Sequence, residues 1–410
     1  MRIIYTIGIG LYGLGIRIAA LFRHSKAKLM CEGWKKTMQR LEDCHIGESK
    51  TIWFHVSSMG EFEQARPVLE SFKKIHSDWK IVVTFFSPSG YEVRKDYKEA
   101  DCVCYLPMDT ISNAKRLVRK INPQIVYFVK YDFWYNYMRE IKRNGAQMYI
   151  FSTIFRKNQY FFKWYGGWFR KQLNTFDYLY VQNQESLELL KGIGINQCTI
   201  AGDTRFDRVN DITKAAKRFD EIEHFVEGYP VLMAGSSWEP DEAKLNTFIK
   251  GYKGKLKLIL APHMIHEEHL TKIIATFGKE NCVRYTQYDA DRDREKQVLI
   301  IDTMGMLAAM YRYATVAYIG GGFGQGIHNI LEAMTFGKPV VFGPNYHKFK
   351  EAHDILKCGG GKTYTRETEL NEILTTWLEN KSAYEQASLE CKNYVTQNLG
   401  ATQTILGIKK

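Results

Sequence analysis

An α/β fold built from two Rossmann-like halves is what this sequence predicts, and three observations predict it. Strand-like apolar runs alternate with helix-like stretches along nearly the whole chain, which calls for parallel sheets covered by helices. The pattern restarts at Val231 after a charged stretch, and 410 residues suffice for two domains with full cores. Late in the second half a strand runs into Gly320, Gly321, Gly322, Gly324 and Gly326, the kind of turn that lets backbone N–H groups approach a phosphate.

Residues 3–21 are apolar apart from Tyr, Thr, Gly and the single charge Arg17, and Arg23, Lys26 and Lys28 follow. Only a short uninterrupted run precedes Arg17, which is marginal against the ~20 residues of a full span, so an uncleaved helix lying at or dipping into the bilayer is expected. Residues 1–40 are thus read as a membrane anchor with a basic, cytoplasmic flank. Residues 41–207 form a first Rossmann-like domain, with strands expected at 51–57, 80–86, 102–106, 123–129, 178–182 and 198–201. Residues 208–228 are a linker helix and 229–381 a second Rossmann-like domain, with strands in VLMAGSS, LKLILAP and VLIID. Residues 382–410 are expected as closing helices that cross back to the first half.

The formal net charge of +12 suits an anionic partner: nucleic acid, an acidic membrane or an acidic substrate. Between Glu140 and Asp177 there is no acid, while Lys142, Arg143, Arg156, Lys157, Lys163, Arg170 and Lys171 alternate with Phe155, Tyr160, Phe161, Phe162, Trp164, Tyr165, Trp168 and Phe169. Such a stretch suits stacked bases or a lipid headgroup layer, unless its aromatics are simply buried. The N-terminal anchor favours lipid over nucleic acid. The eight cysteines show no paired metal spacing and read as reduced thiols.

Two carboxylates stand out. Ser58-x-x-Glu61 fits a capping box at a helix start, and Glu61 equally suits a general base at a strand's C-terminal edge, where Gly60 would keep the loop open. In the second half a helix is expected to open near Ile327 with Ile327, Ile330, Leu331 and Met334 inward. That would leave Glu332 about one turn in, within reach of sugar hydroxyls beside a bound phosphate. Nucleotide-sugar transferases of the two-Rossmann type, GT-B, carry such a loop and such a Glu.

Taken together, HVSSMGEFEQARPVL, TFFSPSGYEV, YLPMD, FWYN, AGDTRFD, IIDTMGML and GGGFGQGIHNILEAMTFGKPVVFGP resemble the Kdo transferases, which move 3-deoxy-D-manno-octulosonic acid from CMP-Kdo to the lipid A precursor. The resemblance implies a GT-B fold with two domains facing a central cleft, inversion at the anomeric carbon, and no cofactor or metal. It also implies a monotopic enzyme on the cytoplasmic face of the inner membrane, against an anionic surface and without nucleic acid. It makes Glu61 the base; it gives His263, Gly305, Gly321, Gly322, Asn329 and Glu332 to the CMP-Kdo donor, and Gly60, Ser89, Asp132, Arg156 and Lys157 to the acceptor side. His263 stands where the family has Arg, with His266 or Lys348 as possible substitutes, and Met306 replaces a usual Glu. The family's Glu-Thr-Glu-Leu-Trp is Lys130-Tyr131-Asp132-Phe133-Trp134 here. The competing readings are a GT-B transferase using a UDP-sugar and a basic nucleic-acid-binding protein.

Overall fold

The computed structural model describes residues 1–46 and 49–407. The chain divides into two compact units, residues 1–208 with 399–410, and residues 209–398.

The first unit is built on seven strands: β1 Thr51–Val56, β2 Lys80–Phe85, β3 Cys102–Tyr105, β4 Ile125–Val129, β5 Gln147–Thr153, β6 Tyr178–Val181 and β7 Cys198–Ile200. They pair in parallel in the order β3-β2-β1-β4-β5-β6-β7. Helices cover both faces, so the strands are near-continuous apolar runs; every residue of β1 is buried. The chain builds outward from β1 to one side and then returns to its other side at β4. This reversal leaves a crevice at the C-terminal ends of β1 and β4.

Helix α1 (Arg2–Leu21) is long and apolar enough to cross a membrane, yet it offers the protein only a narrow stripe. The Tyr5 hydroxyl donates to Asp109 Oδ2 at 2.5 Å and accepts from the Tyr135 N–H at 3.2 Å, and Gly13 abuts Met108. Ile3, Ile4, Ile7, Leu11, Leu14, Ile18, Leu21 and Phe22 all stay exposed. Helix α2 (Ser25–Asp43) then packs on β3 so closely that a Cβ on Gly33 would sit 2.1 Å from the Tyr105 ring.

The second unit repeats the plan with β8 Val231–Ser237, β9 Lys257–Pro262, β10 Cys282–Arg284, β11 Val298–Ile300, β12 Val316–Ile319, β13 Val340–Phe342 and β14 Gly361–Thr363. Their order is β10-β11-β9-β8-β12-β13-β14, again parallel, which puts the reversal between β8 and β12. Strands β5, β10 and β14 are additional to those expected; the last two have three residues each, too few to show a period.

Three expectations need correction. The single linker helix is two, Thr204–Ala215 and Asp220–Val226. Between them the Ala216 carbonyl accepts from Arg312 and the Phe219 N–H donates to the Tyr313 hydroxyl, so this backbone bonds outside any helix. The helix after the glycines spans only Leu331–Thr335. It does not begin at Ile327, because the Leu331 N–H, which a helix would place on the Ile327 carbonyl, goes to Asn329 Oδ1 instead. Ile327, Ile330, Leu331 and Met334 are nevertheless all buried. The closing segment splits: Lys381–Gln397 lies in the second unit, and Ala401–Leu406 in the first, where Asp207 accepts the N–H groups of Gly400 and Thr402. Residues 408–410 of that expected segment lie outside the described residues.

Candidate active site

In the first unit the crevice between the ends of β1 and β4 is lined by acids. Ser57 and Ser58 bridge β1 to helix α3 (Met59–Ile75), and Glu61 stands in the first turn of that helix. Its Oε2 accepts the N–H groups of Ser57 and, at 3.2 Å, Ser58, so the capping role is realised. Burial raises the Glu61 pKa and the charge of Asp132 adds to the rise, while the Ser57 N–H, His55 and Lys130 pull it back. Cap and base are therefore compatible: the bonds that fix the side chain engage Oε2, and partial burial makes the carboxylate more basic.

Gly60 is not in an open loop as expected. It lies inside the first turn of α3, and a Cβ there would meet nothing within 4 Å, so it leaves free space beside Glu61. Gly90 is the glycine that packing demands. A Cβ on it would come within 2.4 Å of the Phe85 ring and 3.0 Å of the Met59 nitrogen, so helix α4 (Pro88–Arg94) closes on the start of α3 only without one.

Asp132 shares this corner. The chain leaves β4 through Lys130 at φ +63°, and Asp132 Oδ2 then accepts the Ser57 hydroxyl at 2.6 Å and lies 3.2 Å from His55 Nε2. His55 is wholly buried. Its Nε2 accepts the Trp134 indole N–H at 3.0 Å, which leaves Nδ1–H to donate to Thr84 Oγ1 at 2.9 Å; the Trp53 indole donates to the same oxygen at 2.8 Å.

Ser89 is exposed near the start of α4, paired with Ser87, and Arg156 and Lys157 are exposed beyond β5, Arg156 beside Tyr131. The aromatic-basic stretch divides: Phe155 and Phe161 are buried, while Trp164 is 92% exposed and Tyr165 and Tyr160 are also open to solvent.

In the second unit the expected donor residues follow the ends of β9, β11 and β12. The glycines do different work from one another. A Cβ on Gly320 would stand 2.2 Å from the Ser236 carbonyl oxygen, one on Gly322 would stand 2.6 Å from Gly343 backbone, and Gly321 has φ +89°. The Gly321 N–H is turned to Asp241 Oδ2 at 2.9 Å, so it is not open to an anion as expected. Gly305 is exposed at φ +86°, with nothing within 4 Å of a Cβ, which leaves bare backbone after β11.

Glu332 is half-buried in the first turn of its short helix rather than a turn in. Burial raises its pKa, and the Asn329 side-chain N–H, 3.0 Å from Oε1, offsets part of the rise. Asn329 Oδ1 meanwhile accepts the Leu331 N–H at 3.1 Å, so this one side chain starts the helix and orients Glu332. His266 caps the helix Glu267–Phe277 through the His269 N–H, and Lys348 is exposed. His263 is exposed and stacks on two rings that sequence reading does not single out, Trp238 and His328, each with centroids 4.5 Å away. Trp238 and His328 are 90 positions apart, and only the strand order brings them together.

Two Rossmann-like units, each with the candidate residues near the strand-order reversal of a parallel sheet, define the GT-B fold class. The solved UDP-GlcNAc 2-epimerase from Neisseria meningitidis bound to UDP-GlcNAc has this fold; it superposes with a TM-score of 0.59 at 14% identity, covering 87% of this chain and 99% of that one. Residues 32–208 match the family model described as 3-Deoxy-D-manno-octulosonic-acid transferase (kdotransferase). The 3-deoxy-D-manno-octulosonic acid transferase of Aquifex aeolicus is 29% identical over 359 residues, covering 85% of this chain and 92% of that protein. The enzyme of the same name from Chlamydia trachomatis is 24% identical over 403 residues, covering 95% and 91%. Residues 32–208 thus carry a Kdo transferase domain, and over most of its length the chain is similar to enzymes named Kdo transferases, a family of glycosyltransferases.

Proposed function

We propose that this protein transfers Kdo from CMP-Kdo to the lipid A precursor in lipopolysaccharide synthesis, with inversion and without a metal. The observation that carries the reading is Glu61: a half-buried carboxylate at the β1/β4 reversal, oriented through Oε2 and made more basic by burial and by Asp132. In the proposed step an acceptor hydroxyl oxygen bonds to the anomeric carbon of Kdo while its proton passes to Glu61. The bond from that carbon to the phosphate oxygen breaks, and CMP leaves with the electron pair. A positioned base contributes about 10²–10⁴-fold.

The first unit takes the acceptor in this reading, through the Gly60 surface, Ser89, Asp132, Arg156 and Lys157. The second takes the donor: the amide of Gly322 and His263 meet the phosphate, Glu332 the ribose, and the open backbone at Gly305 the cytosine. Helix α1, apolar on its outward side, would hold the enzyme on the cytoplasmic face of the inner membrane, and the exposed Trp164 would add an interfacial contact. Mass spectrometry of lipid A precursor incubated with CMP-Kdo tests this directly. A product heavier by one or more Kdo residues is expected; no product with CMP-Kdo and transfer from a UDP-sugar would overturn it.

A further inference from the structure

His263 is the one expected donor residue whose neighbours change what it can do. It sits at the end of β9 with its backbone N–H on the Ser237 carbonyl at 2.9 Å, which leaves the ring projecting from the sheet edge. Its ring is nearly parallel to the Trp238 indole, at 24°, and to the His328 imidazole, at 27°. The indole N–H of Trp238 donates to His328 Nε2 at 3.3 Å, closing the three rings on one another.

The chemistry of the three rings assigns their protons. An indole N–H can only donate, so His328 Nε2 must accept, and the neutral His328 carries its proton on Nδ1. Burial and the neighbouring His263 both lower the His328 pKa, so a second proton on that ring is disfavoured. His263 is exposed and lies over the face of the indole, where a cation is attracted by the ring's electrons.

The surrounding charges leave His263 free to answer an external anion. Asp241 already accepts the backbone N–H of Trp238 at 3.0 Å, that of Gly321 at 2.9 Å and the Tyr318 hydroxyl at 2.7 Å. Glu242 accepts the Ser237 hydroxyl at 2.9 Å and pairs with His269 at 3.0 Å. Glu239 and Glu268 pair with Lys272, Glu267 pairs with Arg284, and His266 is the helix cap already described. Each of these carboxylates is thus committed elsewhere.

We propose that Trp238, His263 and His328 form a proton-gated clamp for the anionic group of the sugar-nucleotide donor, with His263 taking the proton and Trp238 acting as the positioning residue. This rests on the donor reading above and adds a property an arginine could not supply. An arginine would hold its charge at every physiological pH, whereas a histidine exchanges its charge between about pH 5 and 8. The clamp therefore binds when His263 is protonated and releases as pH rises. His328 offers Nδ1–H as a second donor, and the Trp238 N–H keeps that tautomer in place.

The test is calorimetric CMP binding to the full chain in detergent at pH 6 and pH 8, for the native protein, His263→Arg, Trp238→Phe and Trp238→Leu. The ionisation of CMP itself is common to all four, so differences between their profiles isolate the protein. Native binding should weaken roughly tenfold more than His263→Arg binding between the two pH values, the scale of losing one charge-assisted hydrogen bond. Trp238→Phe, which keeps a ring and loses the N–H, should weaken binding at pH 6 about threefold, and Trp238→Leu by more. In transfer assays the two Trp238 variants should raise the donor KM and leave kcat within about twofold, whereas His263→Arg should keep a near-native donor KM at pH 6. Parallel pH profiles for native and His263→Arg would overturn the clamp while CMP binding still stood. Absence of CMP binding at both pH values would overturn the donor reading and the clamp with it. Should Trp238→Leu fail to fold, His263→Arg and Trp238→Phe decide the matter.

Discussion

Each sheet places a tryptophan N–H on a histidine Nε2 at its strand-order reversal: Trp134 on His55 in the first unit, Trp238 on His328 in the second. The bond is the same and the surroundings are opposite. His55 is wholly buried, with Thr84 and Asp132 filling its remaining reach, whereas the second pair opens to solvent at Trp238 and stacks on the exposed His263. The lesson is that an indole-imidazole bond fixes a tautomer wherever it occurs, and burial decides what the fixed tautomer is for. In the first unit it holds a scaffold behind two carboxylates; in the second it lies open to solvent.

The sharpest way to break that comparison is at the carboxylate the first pair supports. Glu61→Gln should lower kcat by about 10²–10⁴-fold, because an amide cannot take the proton, while leaving the melting temperature nearly unchanged, because Gln still accepts the capping N–H groups. Glu61→Ala should lose the same activity and about 1 kcal/mol of stability besides. A Glu61→Gln enzyme with near-native kcat would reduce Glu61 to a cap. In the second unit, Glu332→Gln should raise the donor KM roughly tenfold, the worth of one hydrogen bond to a charged group, with little change in kcat.

The pH dependence sets the two regions against each other. As the proposed base Glu61 must be ionised, and burial raises its pKa, so kcat/KM should fall towards acid pH. The proposed clamp needs a charge on the His263 ring, so its contribution to kcat/KM should be lost at alkaline pH. A bell is expected for the native enzyme, and His263→Arg should flatten its alkaline limb alone.

Smaller effects sharpen the contrast. Trp134→Phe leaves His55 Nε2 without its donor in a dry site and should cost about 1–2 kcal/mol in urea unfolding, with donor KM unchanged. Tyr5→Phe should cost about 1 kcal/mol of the first unit's stability by removing the hydroxyl from Asp109. Burial raises the Asp109 pKa to about 6, despite the bonds from Tyr5, Asn136 and Tyr137. A raised carboxyl contributes stability that is complete below its unfolded value near 4 and is lost as pH climbs through 6. Melting temperatures from pH 4 to 7 should show that decline, and Asp109→Asn should remove it.

Much of this was legible in the sequence because it is local. The strands VLMAGSS and TIWFHV announce themselves by apolar runs, and Ser58-x-x-Glu61 and the glycine run mark the ends of their strands. The helix at Leu331 was misjudged because periodicity reports which residues are buried, and Ile327 and Ile330 are buried without being helical. What was not legible is what strand order assembles. Nothing around Trp238 or His55 foretells a partner 90 or 79 positions away, and Asp241 gives no sign that it will take the Gly321 amide.

Asp109 lies where two tasks meet. One of its oxygens takes the Tyr5 hydroxyl, and the same carboxyl receives the N–H groups of Asn136 and Tyr137, at the start of the helix that follows Asp132 and Trp134. A displacement of the greasy N-terminal rod would reach the loop beside Glu61 through that joint, with the Gly13–Met108 contact following close behind.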